Sequence, residues 1–122
     1  MGEGFPPSPN HKERKMKFEL STGESVNLTP DQATLLLHMC DARENGETLT
    51  CLRESNDYSR PIRETATASC LMKKGLAVPA GESWKSLGVT RRNYRCTLEG
   101  YWLGDSLRIL NRQGKLPERR TR

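Results

Sequence analysis

The sequence predicts one small α+β domain: a three-helix core with an N-terminal β-hairpin, a long basic hairpin and a C-terminal helix. Three observations carry this expectation. A strongly capped apolar helix follows a short alternating segment. A later helix ends in "LMKKG" and runs directly into a strand. A basic excursion then returns as a second strand before a last apolar helix. The 122 residues, 34% hydrophobic and 29% charged, suffice for one modest core and not for a second domain around a deep active site.

Residues 1–15 carry Pro6, Pro7 and Pro9 among polar neighbours and read as a disordered arm. The domain is expected over 16–113. "KMKFELSTGESVNL" alternates, with Met16, Phe18 and Leu20 on one face and Val26 and Leu28 answering after "STGE", which predicts a hairpin. Thr29 then caps a helix over about 30–44 with Pro30 at its first position. Gln32 completes a capping box. Leu35, Leu36, Met39 and Cys40 form its apolar stripe, and Asn45-Gly46 ends it.

"ETLTCLRESND" predicts a short second helix over 49–56, capped by Thr48 and burying Leu49 and Leu52. After the turn "DYSRP", Ser59 caps a third helix over 60–74, anchored by Leu71 and Met72 and stopped by Gly75. "LAV" is a strand, "PAGESWKSLGVTRR" a basic excursion and "NYRCT" the returning strand, so 76–97 reads as one long hairpin. Thr97 caps the last helix, whose Gly100 and Gly104 each weaken it by up to about 1 kcal/mol relative to Ala. Residues 114–122 read as a basic, mobile tail.

The charge is uneven. Residues 1–59 hold six Lys/Arg and ten Asp/Glu, for −4, and residues 60–122 hold fourteen and five, for +9. A basic half points to a polyanionic partner, although a solvated basic surface has the same composition. No apolar run reaches the roughly 18–20 residues a membrane helix needs, and "MGEGFPPSPNHKERK" has no leader-like apolar core. A cytoplasmic location is expected. Cys40, Cys51, Cys70 and Cys96 contain no pair two to four apart, so no zinc knuckle is predicted, and reduced core thiols are favoured over two disulfides. His38 and Cys40 point apart on their helix. No carboxylate pair, phosphate loop or Cys/His arrangement indicates catalysis, and no cofactor or metal is expected.

The order of helix, short helix, turn, helix and basic hairpin resembles the winged helix-turn-helix DNA-binding domains. Three stretches carry the resemblance. Gly23 to Met39, "GESVNLTPDQATLLLHM", is similar to the opening of OmpR-type effector domains. Cys70 to Val78, "CLMKKGLAV", is similar to the recognition-helix end of MarR-type regulators, and Arg91 to Gly100, "RRNYRCTLEG", to their wing exit. Val89-Thr90 stand where the MarR pattern has an acidic residue, and one C-terminal helix stands in place of long dimerisation helices.

The resemblance implies a small transcriptional regulator that binds double-stranded DNA. The helix over 60–74 would enter the major groove and the wing over 79–95 would hold phosphates. Arg60, Arg63, Thr65 and Thr67 are the groove-facing candidates, with Arg63 suited to guanine. Lys85, Arg91, Arg92 and Arg95 suit phosphates. The same residues also fit plain solvent faces, with Arg60 and Arg63 paired to Glu64 or Asp57. Trp84 fits either an exposed contact or a fold back onto the core. The rival function is a winged-helix protein-interaction module docking through the acidic first half. A homodimer through the C-terminal helix, using Tyr101, Trp102, Leu103 and Leu110, stands beside a simple core role for the same residues.

Overall fold

A computed structural model of the chain describes residues 15–54 and 62–119. The arm expected over 1–15, except Lys15, lies outside the described residues. So do the Ser59 cap, Asp57 and Arg60.

The alternation over 16–28 produces the expected hairpin. β1 (Met16–Glu19) pairs antiparallel with β2 (Ser25–Leu28), with Met16 opposite Leu28 and Phe18 opposite Val26. Phe18 and Leu28 enter the core. In α1 (Pro30–Glu44) both halves of the capping box form. The Gln32 N–H donates to Thr29 Oγ1 at 3.2 Å, and the Thr29 N–H donates to Gln32 Oε1 at 3.1 Å. Leu35, Leu36, Met39 and Cys40 are buried as expected, and so are Ala33, Leu37 and Ala42. The helix is enclosed on more than one stripe and forms the centre of the core.

The helix expected over 49–56 is a strand where it is described. β3 (Leu49–Glu54) pairs with β7 (Val89–Cys96) on one edge and with β4 (Ile62–Arg63) on the other. Leu49 and Leu52 have helical spacing, but adjacent Cys51 and Leu52 are both buried, as in a strand covered on two faces. So short an apolar window cannot choose between the two periods, and the long-range ladder with β7 chooses for it. The predicted helix-turn-helix therefore has no helix over Leu49–Glu54.

The third expected helix starts late, as α2 (Glu64–Lys73). β-branched Ile62 is buried and extends as β4 before the helix begins at Arg63, which makes no side-chain cap bond. The helix ends as expected. The Leu76 N–H donates to the Leu71 carbonyl at 3.0 Å, Gly75 adopts φ 77°, and Leu71 and Leu76 are fully buried. β5 (Ala77–Pro79) follows and pairs with the second half of β7, while β6 (Trp84–Ser86) pairs with its first half. The main sheet runs β4-β3-β7-β5, with β6 also on β7. α1 and α2 cover one face of it, where Cys51, Tyr94, Cys96 and Ala77 join the main core. Leu52, Ile62 and Val89 form a smaller cluster. All four cysteines are free, and burial pushes the Cys51 thiol up to about 12. Among the described residues no helix is long and apolar enough to cross a membrane.

The last helix is broken at Leu103 into α3 (Leu98–Trp102) and α4 (Gly104–Arg112). Leu103 and Leu107 fill the core, while Arg108 reaches back to Asp41 and Glu44 of α1 at 3.2 and 3.0 Å. Gly100 has a packing reason: a Cβ there would stand 2.3 Å from the Leu76 carbonyl oxygen. The segment after α4 does not trail away. Leu116 is buried, the Thr34 hydroxyl donates to the Pro117 carbonyl at 2.8 Å, and Arg119 pairs with the buried Glu64.

Two predictions follow from this packing. Gly100→Ala should cost about 1–3 kcal/mol through overpacking. Gly104→Ala, whose nearest new neighbour is 3.4 Å away, should stay within about 0.5 kcal/mol of wild type. Urea unfolding midpoints of the two variants check the contrast. Burial, and then the Arg119 guanidinium, hold the His38 pKa below its ordinary 6.5, against smaller opposing effects of Asp41 and Glu64. A base with a depressed folded pKa binds its proton more readily when unfolded. Its contribution is therefore complete above pH 6.5 and is lost as the pH falls through the folded pKa. His38→Gln should flatten the fall in unfolding midpoint between about pH 7.5 and about pH 5.5.

Candidate nucleic-acid interface

The pleat of β7 decides where the basic hairpin carries its charge. Directly opposed residues of neighbouring strands share a sheet face, and successive residues alternate. Arg63 of β4 stands opposite Arg53 of β3. Arg53 stands opposite Thr90 of β7, and Thr90 opposite Lys85 of β6. Three cations and a threonine thus form one row across four strands. Two residues along the same face, Arg92 follows Thr90 and lies 5.8 Å over the Tyr94 ring.

This face borders α2. Arg53, Thr90, Arg92 and Tyr94 from the sheet, Thr65, Ala66 and Ser69 from α2, and Ser83 from the loop before β6 line an open groove of about 430 Å³. Its floor is polar, and its rim carries guanidinium groups and hydroxyls. Arg92 also holds the groove's outer wall, since its Nε–H donates to the Gly81 carbonyl at 3.1 Å. The Ser69 hydroxyl donates to the Thr65 carbonyl at 3.0 Å, which keeps its oxygen available as an acceptor.

Among the described residues, Arg53, Arg63, Lys85 and Arg92 make no ion pair with a carboxylate. Glu64, the sequence neighbour expected to hold Arg63, is instead engaged from behind. Its carboxylate accepts the Leu52 N–H at 2.9 Å and the Arg119 guanidinium, which also donates to the Thr50 carbonyl at 2.6 Å. Asp57, the other expected partner, lies outside the described residues.

Of the eight residues singled out from the sequence, Arg63, Thr65, Lys85 and Arg92 come together on this side of the sheet. Thr67 does not line the groove; its hydroxyl donates back to the Arg63 carbonyl at 3.3 Å. Arg91 and Arg95 alternate onto the opposite face, where Arg91 stands opposite Trp84 and Arg95 opposite Val78. Trp84 remains 43% exposed and so does not fold back into the core. Arg60 lies outside the described residues. Arg53 was missed because a helix was expected over its stretch. Lys73 and Lys74 stay peripheral: the Lys74 ammonium donates to the Asn27 carbonyl and to Gln32 Oε1.

Comparisons with protein families, with curated proteins and with solved structures give no match for this chain.

Opposed like charges destabilise a sheet pair. Arg53→Thr should therefore raise the unfolding midpoint by the equivalent of about 0.2–1 kcal/mol at low salt. The gain should shrink toward zero near ~1 M salt, where screening is strong. Thermal melts at the two salt concentrations check this.

Proposed function

We propose that the chain binds double-stranded DNA, with α2 presented to the major groove and the β6–β7 hairpin held against the phosphates as a wing. One observation carries the reading: Arg63, Arg53 and Lys85 stand in register on the same face as Arg92, bordering a groove shared with the exposed side of α2. A cationic row with no carboxylate ion pair among the described residues, beside hydroxyl-bearing helix residues, suits a phosphate backbone with a base edge next to it. The finer reading is a winged helix that acts as a small transcriptional regulator. It rests on α2, "LMKKGLAV" and the hairpin, and not on a helix over Leu49–Glu54.

A protein-docking reading has its own support. Leu98 and Trp102, four residues apart on α3, are 74% and 60% exposed. Such a pair suits an apolar surface on another protein, a second copy of the chain included. Leu103 is buried in the monomer core and Leu110 is partly buried against it, so both serve the monomer core.

Binding to a random duplex, measured against salt, tests the DNA reading. The affinity should fall steeply with salt, and Arg53→Ala and Arg92→Ala should each lower the slope by roughly one. Arg63→Ala should relax preference at one base position, at a cost of about 1–3 kcal/mol. A duplex left unbound at ~50 mM salt ends the DNA reading and leaves the docking one.

A further inference from the structure

The connection between β6 and β7 holds a residue that its own fold does not favour. Ser86 pairs with Val89, so Leu87 and Gly88 form a two-residue hairpin loop. Both have positive φ, 54° for Leu87 and 78° for Gly88. This is the backbone of a type I′ turn, which favours Asn, Asp or Gly at the first position. Leucine is strained there, since its Cβ crowds the following carbonyl. It is also 96% exposed, more than any other large apolar side chain described. Neither chain reversal nor the core gains from it.

The charges beside this tip are independent of its strain. By register, Lys85, Thr90 and Arg92 lie on the face toward α2, and Arg91 and Arg95 on the other. Residues 84–96 contain no carboxylate. The hairpin therefore carries cations on both faces and its most exposed apolar group at the tip, with Trp84 half-exposed beside Arg91. A ribbon with that distribution fits a cleft whose two walls are anionic and whose floor is apolar. The minor groove of duplex DNA has two phosphate walls and stacked bases below, and leucine is among the residues that enter it as a wedge.

We propose that Leu87 is a wedge that the β6–β7 hairpin drives between base steps from the minor groove, bending the duplex. The proposal rests on the duplex DNA reading and adds to it a mode of contact and a consequence for the DNA. The Gly88 reversal keeps the wedge on a two-residue turn, so it is aimed by the sheet rather than by a flexible loop. The cations on the two faces hold the two backbones that the wedge spreads. Pyrimidine–purine steps, which kink easily, are the favoured sites of entry.

The test uses the full chain and a duplex of about 25 base pairs with a central TA step and a fluorophore at each end. Energy transfer between the ends reports bending, and anisotropy reports binding. The wild type should bind and raise the transfer. Leu87→Asn places a favoured residue in the turn, so it should fold at least as stably. It should bind with an unchanged salt slope, while the rise in transfer falls by at least about twofold. Leu87→Phe should keep the bend. Arg91→Ala should lower the salt slope by roughly one, because the face opposite α2 also meets phosphate.

Binding by the wild type without a change in transfer, or an unaltered bend with Leu87→Asn, overturns the wedge and leaves the DNA reading standing. Failure of the wild type to bind the duplex overturns both. Capture of the wild type by phosphatidylserine vesicles but not by the duplex, lost in Leu87→Asn, assigns the tip to a lipid surface and overturns the wedge.

Discussion

The basic groove depends on the register of β7. This strand is paired along both edges, to β3 on one side and to β5 and β6 on the other. A slip of one residue would send Arg92 to the face of Arg91 and remove Thr90 from between Arg53 and Lys85. Apolar anchors on both faces prevent it. Tyr94 and Cys96 are fixed in the main core, and Val89 in the small cluster with Leu52 and Ile62. The Thr50 hydroxyl adds a 2.6 Å hydrogen bond to Asn93 across the strands. With the register held, the pleat parts the neighbouring arginines 91 and 92, so "TRRNYR" arms two faces rather than one.

Glu64 sets the charge of the groove from behind. It is the first residue of α2 and is buried, where an unpaired carboxylate would be costly. Two partners satisfy it: the Leu52 N–H on β3 and the guanidinium of Arg119, which arrives from the far end of the chain. The arrangement joins helix, sheet and C-terminal segment in one hydrogen-bonded knot. It also keeps Glu64 from neutralising Arg63, its immediate neighbour. Had Arg63 taken that carboxylate, the cationic row would begin at Arg53 and lose its contact with the start of α2.

What the sequence made legible was local. Thr29, Pro30 and Gln32 announce α1 within four residues, because a capping box is a short-range bond pattern. Gly75 and the paired lysines announce the end of α2 for the same reason. The alternation over 16–28 marks the first hairpin. β3 was not legible, because Leu49, Cys51 and Leu52 satisfy a helical turn and a two-sided strand equally until β7 pairs with them. That misreading hid Arg53: only in a strand does it share a face with Cys51 and, across the ladders, with Thr90 and Lys85. The docked tail was hidden too, since a single Leu116 in "GKLPERR" gives no period. The division of the wing arginines follows from alternation alone, but only once 89–96 is known to be one continuous strand.

Most of the chain obeys local rules: a capped first helix, a glycine where α3 crosses a carbonyl, a paired buried carboxylate. The departures lie together. Arginine faces arginine between β3 and β4, tryptophan stands exposed across from Arg91, and leucine occupies a left-handed turn position between them and solvent. Each departure costs stability in the isolated molecule, and among the described residues no carboxylate ion pair offsets the facing arginines. Like charges repel at a contact that a polar pair would favour, and an apolar tip is held in water. On the proposed DNA-binding reading, a single polyanionic partner would offset all three, by neutralising the rows, offering a stacking surface and taking the tip out of solvent. Rule-breaking gathered at one end of a sheet fits a binding surface on a fold that is otherwise mostly locally consistent, the exposed Leu98 and Trp102 of α3 standing apart from it. On the DNA-binding proposal the groove and the hairpin tip are parts of one site, because both lie at the same end of the sheet.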